Sequence, residues 1–228
     1  ENGIESYEYA LDAKTTEEEL ISLIHKLNKD PKVSAILVQS PVPGHINEDN
    51  IIFEIDPNKD ADCFHPVNVG KLMTGKPEFM PCTPAGVMEL LEENGIEVAG
   101  KECVVVGRSN IVGKPQAIML LSKNGTVTIC HSKTKNLNEV CKRADILVAA
   151  VGKAEMIKAD AVKPGAVVID VGVTRLPNNK LAGDVEFSTV SQIASAITKV
   201  TGGVGPMTRA ILMKNAVKAA KLQSERRV

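Results

Sequence analysis

Apolar residues recur at helical spacing over residues 16–27, through Leu20, Ile21, Ile24 and Leu27, and a mostly apolar stretch follows over residues 33–38. This pattern predicts an amphipathic helix and then a buried strand. Thr16 followed three residues later by Glu19 forms a capping box, and Asp30-Pro31 stops the helix. A second helix is predicted over residues 47–55, ending near Asp56-Pro57, with a polar loop over residues 58–66. From Pro84 the alternation lengthens. Helices are predicted over residues 85–94, 115–123 and 136–143, interleaved with strands over 102–106, 126–129 and 146–150. Two further strands fit residues 167–171 and 196–198, and a last helix runs from Pro206 to about Gln223.

Near-continuous apolar strands alternating with helices predict an α/β fold with a doubly wound, Rossmann-like parallel sheet covered on both faces. Its ligand should sit beyond the carboxyl ends of the strands. The last helix has few neighbours in sequence and is expected to pack back on the N-terminal third. The expected division is therefore a cofactor unit over residues 84–205 and an incomplete α/β substrate unit over residues 1–83 and 206–228.

Composition narrows the function classes. The 228 residues carry a formal net charge of −1 with acids and bases interspersed, which argues against nucleic acid as a partner. No apolar run approaches the roughly 20 residues of a membrane span, and no signal-peptide core opens the sequence, so a cytoplasmic location without membrane association is expected. The five cysteines are odd in number, widely spaced and without a C-x-x-C pair. They are expected to be reduced thiols rather than disulfides or zinc ligands.

The richest chemistry lies in Val104-Val-Val-Gly-Arg-Ser-Asn-Ile-Val-Gly-Lys-Pro115, where a β-branched run meets a helix start through Gly107 and Gly113. Main-chain N–H groups at such a start attract anions. The spacing departs from G-x-G-x-x-G, so this is either a phosphate cradle or an ordinary strand-to-helix turn with a solvated Arg108. The next strand ends in Cys130-His-Ser-Lys-Thr134, which has no carboxylate to repel a 2′-phosphate, whereas Arg108, Ser132 and Lys133 can bind one. NADP is the favoured cofactor; the bland alternative is a solvated basic loop. Gly152, in Ala149-Ala-Val-Gly-Lys153, allows close approach of a ligand to backbone. Gly202-Gly-Val-Gly-Pro-Met-Thr208 is either a second amide-reading loop or a hinge. In the first third, prolines fix the chain after Gln39, and Asp62 is placed to accept hydrogen bonds from a heterocycle unless it is merely solvated. His65 and His131 have no paired nucleophile, and no metal-ligand cluster is evident.

Together these segments resemble the bifunctional methylenetetrahydrofolate dehydrogenase/cyclohydrolase family of the bacterial FolD type, along nearly the whole length. The resemblance rests on Pro57-x-Lys-Asp-x-Asp-x-Phe-His-Pro66, Pro81-Cys-Thr-Pro84, Gly107-Arg-Ser-x-Ile-Val-Gly-x-Pro115, Thr128-x-Cys-His-Ser-x-Thr134 and Gly202-Gly-Val-Gly-Pro-Met-Thr208. It implies NADP-dependent oxidation of 5,10-methylenetetrahydrofolate, then hydrolysis to 10-formyltetrahydrofolate, in one cleft of a homodimeric enzyme acting on tetrahydrofolate derivatives. It also implies that Asp62 holds the pterin and Gln39 lies beside the catalytic lysine. Gly107, Arg108, Ser109, Ile111, Ser132, Gly152 and Thr174 would contact the cofactor, and Gly202, Gly203 and Pro206 would line the folate side.

Family members carry a Tyr-x-x-x-Lys pattern just before a segment like Glu1-Asn-Gly-Ile4, and this sequence begins at that segment. Tyr7 and Tyr9 do not replace that tyrosine, and Lys14 falls in a loop. Two expectations follow: residues 1–228 are part of a longer bifunctional enzyme, and alone they hydrolyse the methenyl compound weakly or not at all. The alternatives are an impaired NADP-binding or dimerisation module and a dehydrogenase of another small substrate. Ser40 and Val42 stand where leucines are usual, Cys63 where glycine is, and Lys199 and Thr201 where prolines are. These positions bear on folate affinity more than on cofactor binding.

Overall fold

The structure is a computed structural model that describes residues 3–225. Glu1 and Asn2 of the first family-like segment, and residues 226–228 of the expected C-terminal helix lobe, lie outside the described residues.

The N-terminal third is built from α1 (Glu17–Lys29), α2 (Glu48–Glu54) and α3 (Pro66–Met73). The Thr16 hydroxyl accepts from Glu19 N and the Glu19 carboxylate accepts from Thr16 N, so the capping box is present, and Asp30 is the C-cap. Residues 33–38 do not form the expected strand. Ile36 makes one isolated parallel bridge to Asp60, through Ile36 N to Lys59 O at 2.7 Å and Ala61 N to Ile36 O at 3.3 Å. A parallel ladder needs a partner with free donors along its length. Here the partner segment leaves at once for an Asp-rich turn, and Pro31, Pro41 and Pro43 carry no N–H. Helix α3 was not anticipated. Its sequence signal is His65-Pro66, with the His65 ring as N-cap, accepting from Val67 N, and Pro66 in the first turn.

The second part runs α4 (Cys82–Glu93), β1 (Glu102–Val106), α5 (Gly113–Ser122), β2 (Thr126–Cys130), α6 (Leu137–Cys141), β3 (Ile146–Ala149) and β4 (Val167–Asp170). A small hairpin, β5 (Thr174–Arg175) with β6 (Leu181–Ala182), the short α7 (Phe187–Val190), β7 (Ala196–Ile197) and α8 (Val204–Glu225) complete it. The five-stranded sheet has the order β2-β1-β3-β4-β7, and every pairing in it is parallel. Side chains alternate across the pleat. Val105, Val148 and Ile169 face α4, α5 and α8, whereas Val104, Val106, Leu147 and Val168 face the opposite layer. The doubly wound sheet expected from the apolar strand pattern is therefore formed.

Helix α8 returns to the first part as expected. Asn215 Nδ2 donates to Ala61 O and Met80 O, both at 2.8 Å, and Gln223 Nε2 donates to Ser34 O at 2.6 Å. Its upper half packs against α4 so closely that a Cβ on Gly86 would lie 2.9 Å from Met207 Cβ. The helix begins at Val204 rather than Pro206, because a proline in the first turn gives up only a donor that has no helical acceptor.

Candidate functional site

Register places Val106 beside both Cys130 and Ala149, and Ala149 beside Asp170, so four strands end on one line. From β1 the chain passes to β2 on one side and then returns to β3 on the other, so the order reverses between β1 and β3. Ligands of such sheets bind at that reversal.

Gly107 sits there with φ of 132°, and a Cβ on it would collide with the carbonyl of Ala150. A Cβ on Gly113 would collide with the carbonyl of Gly107. The two glycines thus let the turn fold flat against the sheet. Ser109 closes the turn from inside, its hydroxyl accepting from Val112 N at 3.1 Å and Gly113 N at 3.2 Å. Arg108 is exposed, Ile111 is half-buried, and Lys114 Nζ donates to Asn110 Oδ1 at 2.7 Å. Across from this turn, His131 N donates to the Thr134 hydroxyl and Lys133 N to His131 Nδ1. That leaves Ser132 exposed at the tip. Gly107 N donates to Cys130 O at 2.9 Å, which joins the two turns. Among the described residues neither Arg108 nor Ser132 has a side-chain partner in the protein. A cradle that excludes Cβ atoms, beside a free guanidinium and hydroxyl with no local carboxylate, fits a phosphorylated dinucleotide.

Gly152 lies in the loop after β3, exposed, at φ of 67° with open space where a Cβ would be. Thr174 is half-buried at the start of the β5–β6 hairpin. Gly202 is exposed at φ of 79°, Gly203 sits where a Cβ would strike the carbonyl of Lys199, and Pro206 is exposed in the first turn of α8.

The other half of the site surrounds Asp62. Asp60, buried, accepts from Phe64 N, His65 N and Asn68 Nδ2, and this turn presents Asp62 to a cleft that Ile36, Val38, Ser40 and Phe64 also line. Burial pushes the Asp62 carboxyl up to about 6, helped by the charge of Asp60 and opposed by a hydrogen bond from the Cys82 thiol. Gln39 is exposed, and its amide donates to Ser40 O at 3.0 Å; Ser40, not Gln39, lines the cleft with Asp62. The Ser40 hydroxyl donates to the Glu48 carboxylate. Cys82 opens α4, and the next residue, Thr83, meets Thr208 hydroxyl to hydroxyl at 3.2 Å, so the start of α4 links Asp62 to the Gly202 loop. Sequence reasoning missed Cys82 and Asn215 as neighbours of this centre. Pro81-Cys-Thr-Pro84 was visible as a motif, but Asn215 lies 154 positions from Ala61 and carries no local signal.

Residues 81–224 match the family description "Tetrahydrofolate dehydrogenase/cyclohydrolase, NAD(P)-binding domain", and residues 1–62 match "Tetrahydrofolate dehydrogenase/cyclohydrolase, catalytic domain". The chain is 71% identical over 225 residues to the bifunctional protein FolD of Acetivibrio thermocellus, covering 99% of this chain and 79% of that protein. The crystal structure of the bifunctional FolD enzyme from Campylobacter jejuni superposes with a TM-score of 0.90 at 48% identity, over 93% of this chain and 76% of that one. A Trypanosoma brucei FolD structure complexed with NADP cofactor and inhibitor gives 0.88 at 40% identity, over 93% and 75% of the two chains.

Proposed function

Because the chain belongs to the tetrahydrofolate dehydrogenase/cyclohydrolase family, we propose that it serves one-carbon metabolism by oxidising 5,10-methylenetetrahydrofolate and hydrolysing the product. A hydride leaves the methylene carbon, giving the 5,10-methenyl cation, and water then adds to that carbon to give 10-formyltetrahydrofolate and a proton. NADP, when bound, accepts the hydride. The protein's part is orientation and electrostatics.

The observation that carries this reading is the Gly107–Gly113 turn with the free Arg108 and Ser132 side chains on adjacent strand ends. Arg108 and Ser132 hold the 2′-phosphate, and Ser109, Ile111 and the Gly107 main chain support the rest of the nucleotide. Gly152 and Thr174 flank its nicotinamide side. Asp62 accepts hydrogen bonds from the pterin ring N–H and amino group, Gln39 lies beside the family's catalytic lysine, and Gly202, Gly203 and Pro206 line the folate side. Residues 84–205 form the cofactor unit, and residues 1–83 with 206–228 form the folate unit. The same reading places a homodimer in the cytoplasm, which sedimentation and fractionation would check.

Calorimetric titration with NADP and NAD tests the cofactor assignment. Arg108→Ala should weaken NADP about tenfold or more, as expected for loss of a charge-assisted contact, while NAD affinity moves less than about twofold. An equal loss of both would remove Arg108 from the 2′-phosphate. Turnover is read in the reduced-nicotinamide absorbance band after addition of 5,10-methylenetetrahydrofolate; NADP binding without that change would favour a non-catalytic module.

A further inference from the structure

Two buried carboxylates stand behind the cofactor loops and have no role in the reaction as described. Asp170 ends β4, is 4% exposed, and accepts from Gly172 N at 3.0 Å, Asp184 N at 2.9 Å and Val185 N at 2.9 Å. Asp184 is fully buried and accepts from three consecutive main-chain donors of the loop after β3: Val151 N at 2.6 Å, Gly152 N at 3.1 Å and Lys153 N at 2.8 Å. Neither carboxylate forms an ion pair among the described residues. The two segments interlock. A Cβ on Gly172 would fall on the Asp184 carboxylate, and a Cβ on Gly183 would fall on that of Asp170.

We propose that Asp184 is a positioning residue for the cofactor, fixing the main chain of residues 151–153 in its ligand-receiving form before any ligand arrives, with Asp170 holding Asp184 in place. The inference rests on the cofactor reading given above and adds to it a group that touches no substrate. Three successive N–H groups converging on one point make an anion nest. Here the protein's own carboxylate fills it, so those donors are not offered to a phosphate. What the loop offers instead is its outer side, where Gly152 is exposed with open space around it. The loop is also keyed to the cradle, because Ala150 N donates to Val106 O at 2.8 Å and the Ala150 carbonyl fills the place a Gly107 side chain would take. A loop held in this way has little ordering entropy left to lose on binding.

Asp184→Asn removes the charge and turns an amide N–H toward donors. Calorimetric titration with NADP should show Kd raised about tenfold or more at near wild-type stoichiometry. A Kd within about twofold of wild type would overturn the proposal. So would a fall in stoichiometry at unchanged Kd, which is the mark of a purely structural role. If wild-type protein bound no NADP, the cofactor reading itself would fail first. Should Asp184→Asn not fold, amide exchange on the wild-type chain decides: N–H groups of 151–153 protected as strongly as β3 without NADP support preorganisation. Rapid exchange that slows only when NADP is added would refute it.

Discussion

The cofactor side and the folate side of this chain are held by different kinds of bond. Around the cofactor site the strand ends are set by a continuous parallel ladder, and the loops leaving it are fixed by main-chain contacts and by carboxylates accepting from main-chain N–H groups. Around Asp62 no ladder exists among the described residues. Ile36 and Asp60 make a single bridge, and the turn is held by a few side chains, its own Asp60 together with Asn68 and Asn215 from helices outside it. Apolar side chains such as Leu37, Phe53 and Met73 stay exposed on this side, whereas the central strands are fully covered. A ladder determines many positions at once and tolerates the loss of any one side chain. A turn tied by a few side chains puts its geometry at the mercy of each.

The comparison breaks most severely at a position where backbone itself must pass. Gly107→Ala would force a Cβ onto the Ala150 carbonyl at a φ that L side chains rarely adopt, with no flexible neighbour to yield. We expect a loss of about 3 kcal/mol or more in chemical denaturation, with NADP binding abolished in calorimetry. A stable variant with ordinary affinity would show that the strand reversal is less crowded than described.

On the folate side one side chain should matter nearly as much. Asn215→Ala removes the side-chain donor of the Met80 carbonyl and leaves the Ala61 carbonyl only the weak Cys82 thiol. It should cost about 2–3 kcal/mol and weaken folate binding while leaving NADP affinity within about twofold. Equal losses for both ligands would mean the two sides do not depend on separate supports.

The smallest of the three effects is read through pH. The Asp62 carboxyl is raised to about 6 in the folded chain against 3.8 as its ordinary value. Between those values the folded state binds more protons than the unfolded state, so stability falls as pH rises through this window and is level above it. Asp62 therefore opposes folding at neutral pH. Asp62→Asn should remove the slope between about pH 4 and 6 and raise the denaturation midpoint at pH 7, while folate binding is lost. A midpoint at pH 7 equal to or below that of wild type would place Asp62 in a more solvated setting than the cleft described.

The uneven legibility of the sequence follows the same divide. Strands 102–106, 146–149 and 167–170 stand out because ladder residues covered on both faces must be apolar, whereas 126–130, half-exposed at the sheet edge, is marked by its run of β-branched residues. The capping box at Thr16 is legible because it is a local pattern with one stable outcome. Residues 33–38 have the composition of a strand, but composition cannot report whether a partner with free donors lies alongside, and only the fold shows that none does beyond Ile36.

The family was legible in the motifs around Arg108, Ser132 and Asp62, because residue type, charge and spacing are properties of the sequence. What only the tertiary structure decided is who holds them. Asn215 reaches Ala61 and Asp184 reaches Val151 across long spans of chain, and a hydrogen bond of 3 Å between distant segments leaves no period, motif or charge pattern in the sequence for a reader to find.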